Sequence, residues 1–181
     1  MSAAKDASRY ILDAVAKMVD AEGDAVDQAV TTIAKAKRVF VYGVGRSGLV
    51  ARAFAMRLTQ LGLDTFFIGE TITPIVKAGD LVIIVSNTGT TMSAVQTANI
   101  ARRVGAAVLA VTGNLHSKLA QAANVSLIIS EGKDAKRSHF APLGTLFETA
   151  SLVLLDGIVA EVMKELGETE ASMRGRHAIM V

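Results

Sequence analysis

The sequence predicts a single-domain α/β protein, a three-layer αβα sandwich on a five-stranded parallel sheet of the flavodoxin/Rossmann-like type. Five short apolar runs alternate with segments of helical periodicity, an order typical of parallel strands joined by helical crossovers. Hydrophobic residues make up 51% of the 181 residues and aromatic residues only 4%. That composition suits a sheet core of Val, Ile, Leu and Ala. The length is enough for one well-buried domain, so we expect residues 1–181 to form a single unit.

Composition also narrows the possible functions. The formal net charge of +2 comes from 19 basic and 17 acidic residues spread along the chain, which gives nucleic-acid binding little support. The chain has no cysteine, and its three histidines lack the spacing of a metal site, so we expect no bound metal. The first residues form no apolar signal region, and no apolar run approaches the length of a membrane span. We therefore expect a cytoplasmic protein without membrane contact.

The first part of the chain, about residues 3–35, has apolar residues at helical spacing. It predicts one long helix or two, with a break at Gly23-Asp24 just after Glu22 interrupts the apolar stripe. The stripe includes Ile11, Val15, Met18 and Val19. A helix ahead of the first strand is not needed to cover the sheet, so this stripe packs either on another subunit or on the core of its own chain.

The sheet core is predicted over about residues 38–166. The expected strands are 38–42, 65–68, 81–85, 107–111 and 125–129, and the expected helices are about 49–61, 92–104, 117–123 and 145–166. The strand 81–85, LVIIV, has no polar alternation, which indicates a central strand buried on both faces. In open parallel sheets the carboxyl ends of such strands are where ligands bind.

A run of small polar residues, SNTGTT, follows this central strand and precedes a predicted helix. Phosphate at a helix N-terminus meets free N–H groups and the positive end of the helix dipole. Ser and Thr are also ordinary helix caps, but a cap uses one residue and five of these six have polar side chains. The sequence therefore favours an anion site. Its candidate residues are Ser86, Asn87, Thr88, Gly89, Thr90 and Thr91.

The loop after the first strand, residues 43–48, has the sequence GVGRSG and matches the dinucleotide pattern G-x-G-x-x-G. Glu70 lies about twenty residues further on, where that fingerprint places an acid, so a small NAD(P)-dependent oxidoreductase is one interpretation. Arg46 and Ser47 add a charge and a hydroxyl group within the same loop. They favour a second anion loop beside the first, because both loops open at the same edge of the sheet.

Glu148 is predicted near the start of the last long helix, on the same side as Leu152, Leu155 and Val159, which we expect to be buried. A carboxylate there either closes a capping box with Thr145 or serves as a general base.

Two polar stretches flank this helix. Residues 131–142 form a surface loop or extend over the pocket, and the tail 168–181 carries Arg174, Arg176 and His177 either towards a phosphosugar or into solvent.

Five segments together are more specific than either glycine loop alone. They are YGVGRSGLVARAFAMRL at 42–58, GETITP at 69–74, GDLVIIVSNTGTT at 79–91, PLGTLFE at 142–148 and MRGRHA at 173–178. With them the whole chain resembles the sugar isomerase (SIS) domain family and, within it, the 6-phospho-3-hexuloisomerases of the ribulose monophosphate pathway of formaldehyde fixation.

The resemblance implies a homotetrameric enzyme that converts D-arabino-3-hexulose 6-phosphate to fructose 6-phosphate without a cofactor or metal. It implies that Gly45, Arg46, Ser47 and the second loop hold the sugar phosphate, and that Glu148 transfers the proton. His177, from its own or a neighbouring subunit, is the candidate for ring opening or carbonyl polarisation, with His139 in reserve. Thr90 stands where the family has an acid, which leaves Glu148 as the better candidate base. A phosphosugar-sensing SIS module is the alternative, and it would keep the loops and lack the base.

Overall fold

The computed structural model describes residues 2–20 and 23–179. Within them the strands are β1 (Val39–Gly43), β2 (Thr65–Phe67), β3 (Leu81–Val85), β4 (Ala107–Thr112) and β5 (Val125–Ile128). The helices are α1 (Ala3–Val19), α2 (Asp24–Ala34), α3 (Gly45–Gln60), α4 (Met92–Arg103), α5 (Lys118–Ala122), α6 (Arg137–Phe140), α7 (Thr145–Glu165) and α8 (Glu170–Gly175).

The five strands form one sheet in the order β2-β1-β3-β4-β5, and every pair is parallel. This confirms the predicted α/β class and strand number. β3 has the predicted bounds, while the other strands differ from the prediction by one residue at one or both ends. The order reverses direction between β1 and β3, because the chain leaves β1 towards β2 and leaves β3 towards β4. Such a switch point opens a crevice at the carboxyl ends of the two strands.

The core lies on both faces of the sheet, as the continuous apolar run of β3 predicts. Leu81, Ile83 and Val85 pack into the cluster that includes α1, α2, α3 and α7, whereas Val82 and Ile84 pack into the cluster that includes α4 and α5. All five side chains are buried because successive residues of a strand face opposite sides. The result is a three-layer αβα sandwich.

The N-terminal segment forms two helices, and its apolar stripe belongs to the core of its own chain. Val15 and Met18 are buried, Ile11 and Val19 pack against the same cluster, and both α1 and α2 contact α7. Within the chain, the stripe therefore packs as the second of the two alternatives predicts. Glu22, which interrupts the stripe in the sequence, lies outside the described residues, as do Met180 and Val181 at the end of the predicted tail.

The amino-terminal edge of the sheet is held by a charged pair that the sequence analysis did not single out. Arg38 donates from Nε and a terminal nitrogen to the two carboxylate oxygens of Asp80, at 3.1 and 2.6 Å, and the Lys77 backbone N–H donates to Asp80 at 2.7 Å. Burial alone raises the pKa of Asp80, but the hydrogen bonds from Arg38 and from Lys77 outweigh it, so the pKa lies below its usual value. The pair therefore stabilises the fold at neutral pH.

Two polar regions contain more structure than the sequence predicted. The stretch 131–142 includes the short helix α6, and the tail includes α8. On α7, Leu155 and Val159 are buried as expected, but Leu152 is exposed, so the prediction for Leu152 is wrong. Among the residues that the structure describes, no helix combines the length and the apolar character needed to span a membrane.

Candidate active site

Two helices begin at the switch point between β1 and β3. Only Val44 separates β1 from α3, so α3 begins at Gly45, four residues earlier than predicted, and Ser47 lies in its first turn. α4 begins at Met92, directly after the second loop. The first N–H groups of a helix have no partner within the helix and carry its positive dipole end. Both helix N-termini meet at the carboxyl edge of the sheet, which suits an anion.

A cleft of about 130 Å³ lies between these two helix N-termini. Its lining consists of Val44, Ser47, Val85, Ser86, Asn87, Thr88, Thr91 and Ala94. The structure thus brings together five of the polar residues that the sequence singled out, from two loops about 40 residues apart. Gly45, Arg46, Gly89 and Thr90, also predicted as ligand-binding, do not line the cleft and lie beside or beneath it.

The N-cap residue of α4, in the second loop, does not cap that helix with its hydroxyl group. Thr91 occupies the N-cap position of α4, but its side chain makes no capping hydrogen bond. Its Oγ1 instead accepts a hydrogen bond from Ser86 Oγ at 3.3 Å, across the floor of the cleft. Thr90 and Thr88 are exposed and joined by a 3.0 Å hydrogen bond between their hydroxyl groups. These contacts favour the anion site over the plain cap.

The second loop is supported from below by residues that the sequence analysis missed. The Asn87 carbonyl accepts hydrogen bonds from the Gly113 N–H at 2.8 Å and from Thr112 Oγ1 at 3.1 Å. Gly89, with φ of +60°, packs so tightly on Ser117 that an added Cβ would lie 2.2 Å from its Oγ. The end of β4 and the start of α5 therefore determine the shape of the loop. No local sequence signal marks these partners, because they follow a different strand.

Glu148 lies beside the cleft and not in a capping box. Gly144 is the N-cap of α7, and Thr145 Oγ1 donates to the Pro142 carbonyl, so the predicted Thr145–Glu148 capping box is wrong. The Glu148 carboxylate is buried and accepts hydrogen bonds from Arg46 Nε at 2.9 Å and from Ser47 Oγ at 3.4 Å. It leans back towards the start of α7, as helical side chains do. An added Cβ at Gly144 would lie 2.6 Å from its oxygen.

The carboxylate of Glu131, 16 residues before Phe147 in the sequence, caps the first turn of α7. Glu131 accepts a hydrogen bond from the Phe147 N–H at 3.1 Å, which satisfies one of the free donors in the first turn of the helix. Arg137 forms an ion pair with Glu131 at 2.6 Å and donates to the Leu143 carbonyl at 2.6 Å. Leu143 has a positive φ of 57° and is exposed. These contacts fix the turn that precedes α7, and they thereby help to hold Glu148 beside the cleft.

The two candidate histidines lie outside the cleft of their own chain. Arg176 donates to the Gln60 carbonyl, at the far end of α3, and forms an ion pair with Glu168. Gln60 is 13 residues beyond Ser47 on α3, which at a rise of roughly 1.5 Å per residue is about 20 Å. His177 follows Arg176 directly, so it lies about that far from the cleft. His139 is exposed on α6, with its ring against Phe140. The structure therefore does not bring His177 or His139 to this site within one chain.

The features of the dinucleotide fingerprint have local explanations in the structure. An added Cβ at Gly48 would lie 2.6 Å from the Gly43 carbonyl oxygen, so the last glycine of the motif is required for α3 to pack on β1. Glu70, which a dinucleotide site would use for a ribose, forms an ion pair with Arg52. What remains is a cleft lined by hydroxyl groups, beside a buried carboxylate held by a guanidinium group.

The fold and this cleft define an α/β protein with a crevice lined by hydroxyl groups at the carboxyl edge of a parallel sheet. A family model described as the SIS domain matches residues 32–155, and the chain belongs to that family. It is 36% identical over 152 residues to a 3-hexulose-6-phosphate isomerase of Methanocaldococcus jannaschii, with 84% of this chain and 82% of the relative covered. It is 31% identical over 171 residues to an arabinose 5-phosphate isomerase of Pseudomonas aeruginosa, covering 91% of this chain and 52% of that protein.

A solved structure is also similar. A hypothetical protein from Methanococcus jannaschii, for which the crystal structure inferred a molecular function of 3-hexulose-6-phosphate isomerase, superposes with a TM-score of 0.83 at 32% identity. The match covers 94% of this chain and 98% of the other. The SIS-type fold expected from the sequence is thereby confirmed.

Proposed function

We propose that this protein is a phosphosugar isomerase that converts D-arabino-3-hexulose 6-phosphate to fructose 6-phosphate. The observation that carries the proposal is the cleft itself. Hydroxyl groups of Ser47, Ser86, Thr88 and Thr91 surround a space at two helix N-termini, and the Glu148 carboxylate lies 3.4 Å from Ser47 Oγ. The similarity to 3-hexulose-6-phosphate isomerases supports the choice of substrate.

The proposed reaction moves a ketone from C3 to C2. Glu148 removes the proton from C2 while O3 gains a proton, which forms an enediol between C2 and C3. Return of a proton to C3 and loss of the O2 proton leave the ketone at C2, so electrons balance without a redox partner. The hydroxyl groups and helix N-termini of the cleft hold the phosphate, which fixes the distance between C2 and the carboxylate. A carboxylate beside a positioned carbon acid suits a general base.

Substitution of the carboxylate tests the proposal. Glu148→Gln keeps an acceptor for Arg46 or Ser47 but cannot take up a carbon-bound proton, so turnover should fall by roughly 10²-fold to 10⁴-fold. Glu161→Gln is the matched control, because Glu161 lies on the same helix with its side chain 58% exposed. The assay is fructose 6-phosphate formation from enzymatically made 3-hexulose 6-phosphate. Near-normal turnover by Glu148→Gln would assign the base to another residue.

Deuterium exchange separates the candidate activities. Fructose 6-phosphate incubated with the protein in heavy water should gain deuterium at C3 and not at C1, because the enediol lies between C2 and C3. Exchange at C1 would instead indicate an aldose–ketose isomerase. Binding of fructose 6-phosphate without any exchange would support a phosphosugar-sensing module.

We propose further that the protein is a symmetric homo-oligomer, a tetramer, in which His177 of a neighbouring subunit completes the site. Its own chain places His177 at the far end of α3, so only another copy can bring this residue to the cleft. Apolar side chains are exposed on the adjoining helices α3 and α7, where a second copy can cover them. They are Leu49, Met56, Leu152 and Val153. Light scattering that shows an active 18.9 kDa monomer would contradict this proposal.

A further inference from the structure

The two groups that hold Glu148 are Arg46, beside the cleft, and Ser47, in the lining of the cleft. Arg46 and Ser47 are neighbours in the first turn of α3, and they donate to the two different oxygens of the Glu148 carboxylate. Ser47 also lines the cleft. In this arrangement each oxygen of the candidate base already accepts a hydrogen bond, one of them from a cation.

This pairing opposes the chemistry that Glu148 is expected to perform. An oxygen that accepts a short hydrogen bond from a guanidinium group faces that donor, so the donor must move before the oxygen can approach a carbon-bound proton. The opposition can be relieved, because the two partners differ in mobility. The Arg46 side chain is 60% exposed, whereas the Glu148 side chain is 10% exposed and packed in the first turn of α7. Arg46 can therefore leave the pair, and Glu148 cannot.

We propose that Arg46 is a positioning residue that transfers from Glu148 to the substrate phosphate and so frees the carboxylate only when phosphate occupies the cleft. The inference rests on the proposed function of Glu148 as the base. A phosphate dianion presents three strong acceptor oxygens and two charges, so it competes well with a single carboxylate for a guanidinium group. Phosphate then promotes proton transfer as well as binding, and sugars without phosphate react slowly even when bound.

Nuclear magnetic resonance tests the transfer without relying on turnover. The Cδ resonance of Glu148 is identified in carbon-13-labelled protein by its absence in Glu148→Gln, and inorganic phosphate is then added. The resonance should shift on saturation in the wild type, and it should stay in place in Arg46→Gln even though the Ser86 and Thr88 amide signals still report bound phosphate. An unmoved Glu148 resonance in wild-type protein that has bound phosphate, or an equal shift in Arg46→Gln, would overturn the proposal.

A kinetic experiment tests the consequence for the reaction. Deuterium exchange at C3 of unphosphorylated D-fructose is followed with and without inorganic phosphite, a dianion that fills the phosphate site alone. Phosphite should accelerate exchange by at least about tenfold in the wild type, which corresponds to about 1.4 kcal/mol, and Arg46→Gln should abolish this acceleration. Arg52→Gln is the matched control, because Arg52 lies on the same helix and also pairs with a carboxylate. Its acceleration should equal that of the wild type.

The two experiments distinguish failure of this proposal from failure of the proposed function. If hexulose 6-phosphate is not turned over by the wild type, the proposed function fails, and the resonance experiment still decides whether phosphate displaces Arg46. If turnover is normal but phosphite has no effect on exchange, the transfer is overturned and the proposed function stands.

Discussion

Gly89 offers the sharpest test of how the second loop obtains its shape. Its φ of +60° lies in the left-handed region, and an added Cβ would lie 2.2 Å from Ser117 Oγ, 2.5 Å from Ser117 Cβ and 2.8 Å from Thr112 Oγ1. Rotation of the Ser117 hydroxyl relieves the first contact but not the second. Gly89→Ala should therefore incur backbone strain of about 1 to 2 kcal/mol and overpacking of about 1 to 3 kcal/mol, a total of about 2 to 5 kcal/mol.

Gly45 is the matched control for this substitution. It has nearly the same φ, +57°, but an added Cβ would have no neighbour within 4 Å. Gly45→Ala should therefore show the strain alone, about 1 to 2 kcal/mol. Urea unfolding of both variants gives the two free energies, and their difference isolates the packing against Ser117 and Thr112. If the loop moves instead of the fold losing stability, the KM for the sugar phosphate should rise in Gly89→Ala.

A double-mutant cycle tests whether Ser117 is the residue against which the added Cβ packs. Ser117→Gly removes both atoms nearest to the added Cβ and costs only a few tenths of a kcal/mol as a helix N-cap replacement. In combination with Gly89→Ala it should recover about 1 kcal/mol or more of the loss. Equal unfolding free energies for Gly45→Ala and Gly89→Ala, together with an unchanged KM, would refute the packing argument.

The remaining predictions concern stability and assembly. Asp80→Asn should lower the free energy of unfolding at pH 7 by about 1.5 to 3 kcal/mol, through weaker hydrogen bonds from Arg38 and Lys77, with KM unchanged. Because the folded pKa of Asp80 is depressed, its contribution is present above the ordinary value of about 3.9 and is lost as pH falls through the folded pKa. Urea unfolding should therefore show the deficit shrinking below about pH 4, and a constant deficit would contradict the linkage. Glu148→Gln and His177→Ala chains should each have little activity alone. Their co-expression should restore activity if His177 comes from a neighbouring subunit, since mixed oligomers then contain intact sites; no recovery would contradict a site shared between subunits.

The sheet and the two loops could be predicted from the sequence because their determinants are local. The central strand is an uninterrupted apolar run between Asp80 and Ser86, and β3 has those bounds in the structure. The polar residues after β1 and β3 were predicted to meet because parallel strands bring their carboxyl ends to one edge, and Ser47 and Ser86 do line one cleft.

Other features depended on partners that only the tertiary structure identifies. The stripe of Val15 and Met18 has the same periodicity whether it packs on its own core or on another subunit, and only the structure shows that these two residues are buried in their own core, beside α7. The local pattern around Thr145 and Glu148 satisfies a capping box, yet α7 begins one residue earlier than that box requires. Glu148 pairs instead with Arg46, 102 residues earlier in the chain, because α3 and α7 start side by side at the same edge of the sheet. Sequence periodicity specifies which face of a helix is apolar or charged, but long-range packing determines what that face meets.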